Sequence, residues 1–169
     1  MIKVIRLSRY KFEKDHIQHN VTFSVSGLFN DYLDVMNENI RIMSILLESL
    51  FPNTITITCL KVSARPALNS EIDFSSLNMP KREQTYNVGD EISFDSLKDL
   101  MNYCYKKGLE LELDVLDIKN QHITAVLNKD IQGFHYIYGT PETFTKEYIE
   151  TIKKKLKDCV FDGSFRKTL

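Results

Sequence analysis

The alternation of apolar and polar side chains predicts six β-strands. In the segment 17–26, Val21, Phe23 and Val25 alternate with Thr and Ser. A period of two residues is typical of a strand that buries one of its faces. From this alternation and from β-branched composition we predict strands at 2–12, 17–26, 54–64, 109–118, 122–128 and 131–138.

Three further segments have the period of a helix. In the first, 29–51, apolar residues recur every three or four positions and form one face: Leu33, Met36, Ile40, Met43, Leu47 and Leu50. The second, 96–107, follows Asp95 as its cap and ends before Gly108, a residue favoured just after a helix. In the third, Thr140 is the expected cap and Pro141 the first helical residue, and the helix continues to about Asp158.

These elements follow the order β-β-α-β-loop-α-β-β-β-α. The short polar connection between the first two strands favours an antiparallel hairpin. We therefore predict the α+β class, with an antiparallel or mixed sheet and about three helices packed on it. The length of 169 residues favours one domain over 1–169. Residues 65–90 show little periodicity and are predicted to be a long loop within that domain.

Composition and charge narrow the class of protein. Lys plus Arg is 22 and Asp plus Glu is 23, so the net charge of -1 excludes a broad polybasic surface. Lys3, Arg6 and Arg9 interrupt the apolar residues of the first strand, so we expect no signal peptide. No apolar segment approaches the roughly 20 residues that a membrane span needs. Three widely spaced cysteines and a composition rich in Ile, Lys and Asn lead us to expect a cytoplasmic protein of bacterial or mobile-element origin.

No catalytic or cofactor motif occurs in the sequence, so we expect no catalytic residues and no cofactor. His16 and His19 are three positions apart, and on a strand such residues lie on opposite faces. No further His or Cys completes a set of four ligands, and we therefore expect no metal site. A protein without enzymatic activity is the favoured interpretation.

Two features support an alternative function in nucleic-acid chemistry. Asp117 and Lys119 form the acid-x-Lys pair found on strands of many divalent-metal nucleases. The aromatic residues Phe134, Tyr136 and Tyr138 share one strand face. Their segment partly resembles the RNP1 strand of RNA-recognition domains, although Gln132 replaces the usual basic residue. The resemblance implies base stacking on these rings.

Charge is segregated along the chain although it cancels overall. Glu110, Glu112 and Asp114 share one strand face, and Asp31 and Asp34 lie at the start of the first helix. The first strand, by contrast, is basic. Because complementary charge steers association, we predict that these five acidic residues bind a partner.

The leading hypothesis from sequence is a non-catalytic protein-binding module. Its narrower form is an immunity or antitoxin-type inhibitor that occludes a basic toxin domain. We expect no membrane association, and we consider nucleic-acid binding less favoured than protein binding. Self-association through an exposed sheet edge remains an alternative.

Overall fold

The computed structural model describes residues 1–11, 16–28, 31–51, 54–63, 90–116 and 121–165. The elements within these ranges are β1 (Ile2–Lys11), β2 (Ile17–Ser26), α1 (Tyr32–Glu48), β3 (Thr54–Ser63), β4 (Asp90–Ser93), α2 (Phe94–Lys107), β5 (Glu110–Leu116), β6 (His122–Leu127), β7 (His135–Gly139), α3 (Lys146–Lys155) and β8 (Val160–Gly163).

All the described strands belong to one mixed sheet. Its order is β4-β3-β5-β6-β7-β2-β1-β8. Neighbouring strands are antiparallel except for β1 and β8, which are parallel. Strands β1 and β2 pair along their whole lengths, from Ile2 opposite Ser26 to Lys11 opposite Ile17. The predicted hairpin and the predicted α+β class are confirmed.

The three helices pack on the same face of the sheet. Helices α1 and α2 cover β5 and β6 through apolar contacts among Met43, Leu47, Leu97, Met101, Leu111, Leu113, Ala125 and Leu127. Helix α3 joins this layer because the Tyr148 hydroxyl donates a 2.8 Å hydrogen bond to the Leu46 carbonyl of α1. The apolar face of every central strand therefore meets a helix, which is how this sheet removes its alternating apolar side chains from water.

Local capping sets where the second and third helices begin. The Ser93 hydroxyl accepts a hydrogen bond from the Ser96 amide, so α2 begins two residues before the predicted start. The Thr145 hydroxyl caps α3 by accepting from the Tyr148 amide at 3.1 Å. Thr140 was the predicted cap, and that prediction is wrong because residues 141–144 form a turn before the helix.

Two short strands, β4 and β8, are additions to the predicted order. Each is four residues long and lies at an outer position of the sheet, β4 beside β3 and β8 beside β1. Strand β7 is also shorter than predicted, because residues 131–134 form a turn. Most of the predicted loop 65–90, including a strand expected near Tyr86–Val88, lies outside the described residues.

Candidate protein-interaction surface

One face of the sheet is opposite the three helices, and we call it the open face. Its central positions form two rows that cross the strands. The first row is Asp162, Arg6, Thr22, Tyr136, Val126 and Glu112, and the second is Ser8, Asn20, Tyr138, Thr124 and Asp114. Among the described residues, no helix packs on this face.

Aromatic side chains stand at the middle of the open face. The rings of Tyr136 and Tyr138 are stacked, with centroids 5.7 Å apart and planes inclined by 27°. Both side chains are half-buried. Phe134 immediately precedes β7 at the same parity, and its side chain is 62% exposed. The predicted aromatic row therefore lies on the open face, with its most exposed member at the end where β7 begins.

The acidic residues of β5 share the open face with the aromatic row. Asp114 is half-buried and accepts a 2.7 Å hydrogen bond from the Thr124 hydroxyl on β6. Glu112 is half-buried, and its register partner on β3 is Lys61. Glu110 is buried, at 9% exposure. These carboxylates thus add negative charge beside the aromatic row, with Asp114 two strands away from Tyr138.

Exposed apolar side chains gather at one end of the sheet, which we call the apolar end. At this end β1 begins, β2 ends and β7 begins, as the pairs Ile2 with Ser26 and Phe23 with His135 show. Of eight large apolar side chains that are exposed in the described part, seven lie here: Met1, Ile2, Leu28, Tyr32, Leu33, Phe134 and Val160. Single exposed apolar residues are ordinary, whereas a gathering of this kind is typical of an interaction site.

The acidic start of α1 borders the apolar end. Asp31 holds the entry to the helix: its backbone amide donates to the Leu28 carbonyl at 2.9 Å, and its carboxylate accepts from the Leu28 amide at 3.3 Å. Asp34 is exposed in the first turn, where the helix dipole favours a negative charge. The structure therefore places Asp31 and Asp34 beside Leu28 and Leu33, on the far side of the sheet from Glu112.

The basic residues of β1 do not form one patch. Arg6 is on the open face and pairs with Asp162 at 3.1 Å. Lys3 is on the helix-covered face, where its ammonium contacts Asp158 at 2.6 Å and Glu38 at 3.0 Å. The hydrogen bond with Asp158 raises the pKa of Lys3, and the same bond lowers the pKa of Asp158. Arg41 bridges the same two carboxylates, so the network joins β1, α1 and the turn after α3.

A buried polar cluster supports the turn that carries Phe134. His135 is fully buried, and its Nδ1 accepts a 3.0 Å hydrogen bond from the Asn128 amide. The Asn39 side chain of α1 donates to the Ile131 carbonyl at 2.6 Å. The Tyr105 hydroxyl of α2 lies 3.4 Å from His135 Nε2. The turn at 128–134 is thereby attached to the core from both helices.

Protonation states within this cluster are fixed mainly by burial. Desolvation lowers the pKa of His135 to about 4 and raises the pKa of Tyr105 above its usual value. His135 is therefore neutral at pH 7, which agrees with Nδ1 acting as an acceptor. Asn39 Oδ1 is buried without a hydrogen-bond partner in the described part of the chain.

The structure does not bring the two histidines considered as metal ligands, His16 and His19, into one site. His19 is buried on β2 with its ring stacked on Phe165 at 4.2 Å, whereas His16 is exposed. Asp117 and Lys119 lie outside the described residues. Among the residues that are described, no group of three or more His, Cys, Asp or Glu is placed to hold a metal ion. No helix in that part of the chain is long and apolar enough to cross a membrane.

The side chains of Cys104 and Cys159 are described, and neither is an activated thiolate. Desolvation raises the pKa of Cys104 to about 12 and that of Cys159 to about 11. A nucleophilic cysteine needs the opposite shift, because the thiolate is the reactive form.

The apolar end is the part of the surface that sequence reasoning missed. The helical period assigns Leu33 to the core face of α1, but Leu33 is 64% exposed. The whole first turn, Tyr32 to Asp34, is exposed, and burial begins at Val35. The sequence did contain a local indication of this surface. Leu28, Tyr32 and Leu33 lie within a few residues of Asp31, the N-cap of α1, where the first helical turn is still outside the core.

Comparisons of this chain with protein-family models, with curated proteins and with solved structures found no match.

Proposed function

We propose that this protein is a non-catalytic binding module that recognises a protein partner through the apolar end and the adjoining part of the open face. The observation that carries the proposal is the gathering of exposed apolar side chains at that end. Removing such side chains from water is the main favourable contribution to protein association. Phe134 and Tyr32 add aromatic groups, which are enriched at the centres of interfaces.

The charges around this surface favour a basic partner. Asp31 and Asp34 border the apolar end, and Glu112 and Asp114 lie on the open face. Arg6, the described basic residue in the central rows of that face, is paired with Asp162. An inhibitor of a basic toxin domain is the narrower form of the proposal, and these acidic positions are what supports it.

The proposed binding module is cytoplasmic and has no catalytic activity, as the sequence leads us to expect. Cys104 and Cys159 are free thiols, as expected in a reducing compartment. Homo-oligomerisation through the apolar end is a competing outcome, and light scattering at several protein concentrations separates it from recognition of another protein.

The first test removes apolar area from the proposed surface. In the triple variant Leu28→Ser, Leu33→Ser and Phe134→Ser, we expect partner affinity to fall at least about 100-fold, since buried interface anchors contribute about 2 kcal/mol each. The matched control is Tyr10→Ser, because Tyr10 is 50% exposed but lies toward the other end of β1.

Capture from a lysate of the source cells compares the wild type, the triple variant and the control. A partner retained by the wild type and the control is then purified and titrated against all three. Equal affinity for the triple variant and the wild type would contradict the proposal. Circular dichroism and thermal melting confirm that each variant is folded.

The second test concerns charge. For Asp34→Lys we expect the association rate with that partner to fall about tenfold at low salt, with little change at high salt, because steering by exposed charges is screened. Asp95→Lys is the matched control. Each of these aspartates is the acidic residue in the first turn of a helix, so both variants lose the same favourable dipole interaction. Stopped-flow or surface binding kinetics measure the association rates. Equal slowing by both variants would show that Asp34 does not steer the partner to this surface.

The aromatic row also defines the competing nucleic-acid function. Base stacking on Phe134, Tyr136 and Tyr138 would require cationic surroundings for the phosphates. Glu112 and Asp114 lie on the same face, two strands from those rings, and disfavour such a ligand. We therefore expect no gel shift with single-stranded RNA or DNA at low salt, and a salt-dependent shift lost in Tyr136→Ala would favour nucleic acid over protein.

A further inference from the structure

A cavity of about 540 Å³ lies on the helix-covered side, between α3 and the end of β8. Its apolar lining comes from Leu7, Phe144, Ile149 and Phe165. Cavities of a few hundred Å³ with apolar walls and a few polar groups are the usual form of small-molecule sites in proteins.

A glycine of β8 lines the cavity opposite α3. Gly163 of β8 is in register with Leu7 of β1, on the face that the helices cover. Its φ is +75°, and a Cβ there would collide with the Leu7 carbonyl oxygen. The position therefore requires glycine, and the backbone of β8 comes close to the Leu7 backbone at this edge of the cavity. In contrast, Phe161 fills the same face two residues earlier.

The wall of the cavity is held in place by stacked rings. Phe165 stacks on the buried His19 at 4.2 Å and lies 5.8 Å from the ring of Phe144. Phe144 in turn contacts Tyr148, whose hydroxyl is anchored to α1. These contacts fix two of the four apolar lining side chains before any ligand enters.

Charged residues line the cavity along one stripe of α3. Lys146, Ile149, Glu150 and Lys153 follow one another at the spacing of one helix face. The Lys153 ammonium lies 5.7 Å from the centroid of the Phe161 ring, which holds it toward β8. Two ammonium groups against one carboxylate give this stripe a net positive charge, in a chain whose total charge is -1.

We propose that this cavity binds a small amphipathic carboxylate, such as a medium-chain fatty acid, with its alkyl chain against Leu7, Phe144 and Phe165 and its anion beside Lys146 and Lys153. The site is separate from the apolar end, because Gly163 pairs with Leu7 and Phe165 stacks on His19, both toward the opposite end of the β1–β2 hairpin. The inference does not depend on the proposed function.

Titration with hexanoate, octanoate and decanoate, followed by calorimetry and by amide NMR shifts, tests the proposal. Affinity is expected to rise about fourfold for each added methylene, the value for burial of a CH₂ group. The largest amide shifts are expected at Gly163, Ser164 and α3. Octanol and octylammonium are expected to bind at least tenfold more weakly than octanoate. Shifts confined to the apolar end, or equal binding of octanoate and octylammonium, would overturn the proposal.

Charge-reversal variants distinguish a direct effect of the lining lysines on the bound anion from an effect of the overall charge of the protein. Lys146→Glu with Lys153→Glu is expected to weaken octanoate binding at least tenfold, whereas Glu150→Gln is expected to strengthen it. Lys154→Glu with Lys157→Glu is the matched control, because these exposed residues make the same charge change outside the lining. Equal loss in both double variants would overturn the assignment of Lys146 and Lys153.

A third variant, Ile149→Trp, fills the cavity and is expected to abolish the chain-length dependence. It also adds a fluorescent reporter to a chain that has no Trp. Retained chain-length dependence in a folded Ile149→Trp protein would overturn the placement of the alkyl chain. If this variant does not fold, the lysine variants and their control still decide the question.

Discussion

Asn39→Asp is expected to lower the free energy of unfolding by about 4 kcal/mol at pH 7, the cost of an uncompensated buried charge. Asn39 is fully buried on α1 and donates to the Ile131 carbonyl at 2.6 Å. An ionised carboxylate has no hydrogen to donate, so an anionic oxygen would face the carbonyl oxygen. Its other oxygen would occupy the place of Oδ1, which already has no partner in the described part of the chain.

The control for this prediction is Asn37→Asp. Asn37 is exposed on the same helix and undergoes the same change in charge, so we expect its stability to stay within about 0.5 kcal/mol of the wild type. Urea denaturation at several pH values measures the differences. Because burial raises the folded-state pKa of the introduced carboxyl, the deficit of Asn39→Asp relative to the wild type should shrink as the pH falls from 7 to 5. A deficit that is small, or independent of pH, would contradict the buried placement of Asn39.

Acidification of the wild type is expected to cost about 3 kcal/mol of stability between pH 6.5 and pH 4, through His135. Desolvation lowers the folded-state pKa of this residue from 6.5 to about 4, opposed in part by a hydrogen bond with Ile131 and by the charge of Asp130. In this window the unfolded chain binds a proton that the folded chain excludes. The stabilisation is therefore complete above about pH 6.5 and is lost as the pH falls toward 4.

His135→Gln isolates this contribution, because an amide oxygen can accept from the Asn128 amide and does not titrate. We expect the variant to be less stable at pH 7 and to lose less stability on acidification. His19, whose pKa is lowered by desolvation and by Arg9, remains in both proteins and cancels in the comparison. Parallel stability curves for the two proteins between pH 4 and 6.5 would show that His135 does not carry the effect.

Elements with a strong internal period could be predicted from the sequence, and elements defined by their neighbours could not. The alternation in 17–26 is a property of that segment, and β2 has those bounds. Strand β8 has four residues, too few to show a period, and it is a strand because β1 offers it a free edge. The prediction of Thr140 as the cap of α3 is wrong because a second threonine, Thr145, has the same hydroxyl group and caps the helix five residues later.

The candidate surface was predictable only in part, because packing decides which side chains remain exposed. The shared face of Glu112 and Asp114 follows from alternation, but the hydrogen bond to Thr124 depends on the pairing of β5 with β6. Asn39 shows the same limit. Its spacing from Met36 and Met43 places it on the core face of α1, but its partner Ile131 is 92 residues away, and nothing near Asn39 in the sequence identifies that partner.

The parallel ladder between β1 and β8 has a consequence for the order in which the chain assembles. Arg6 and Asp162 are paired across a separation of 156 residues, whereas β1 and β2 are joined by a short connection. Closing the longer loop costs more conformational entropy, and during synthesis β8 emerges after the other described strands. The outer edge of β1 therefore stays unpaired on the ribosome while β2 already holds its inner edge, and the sheet gains that boundary strand as one of its final steps.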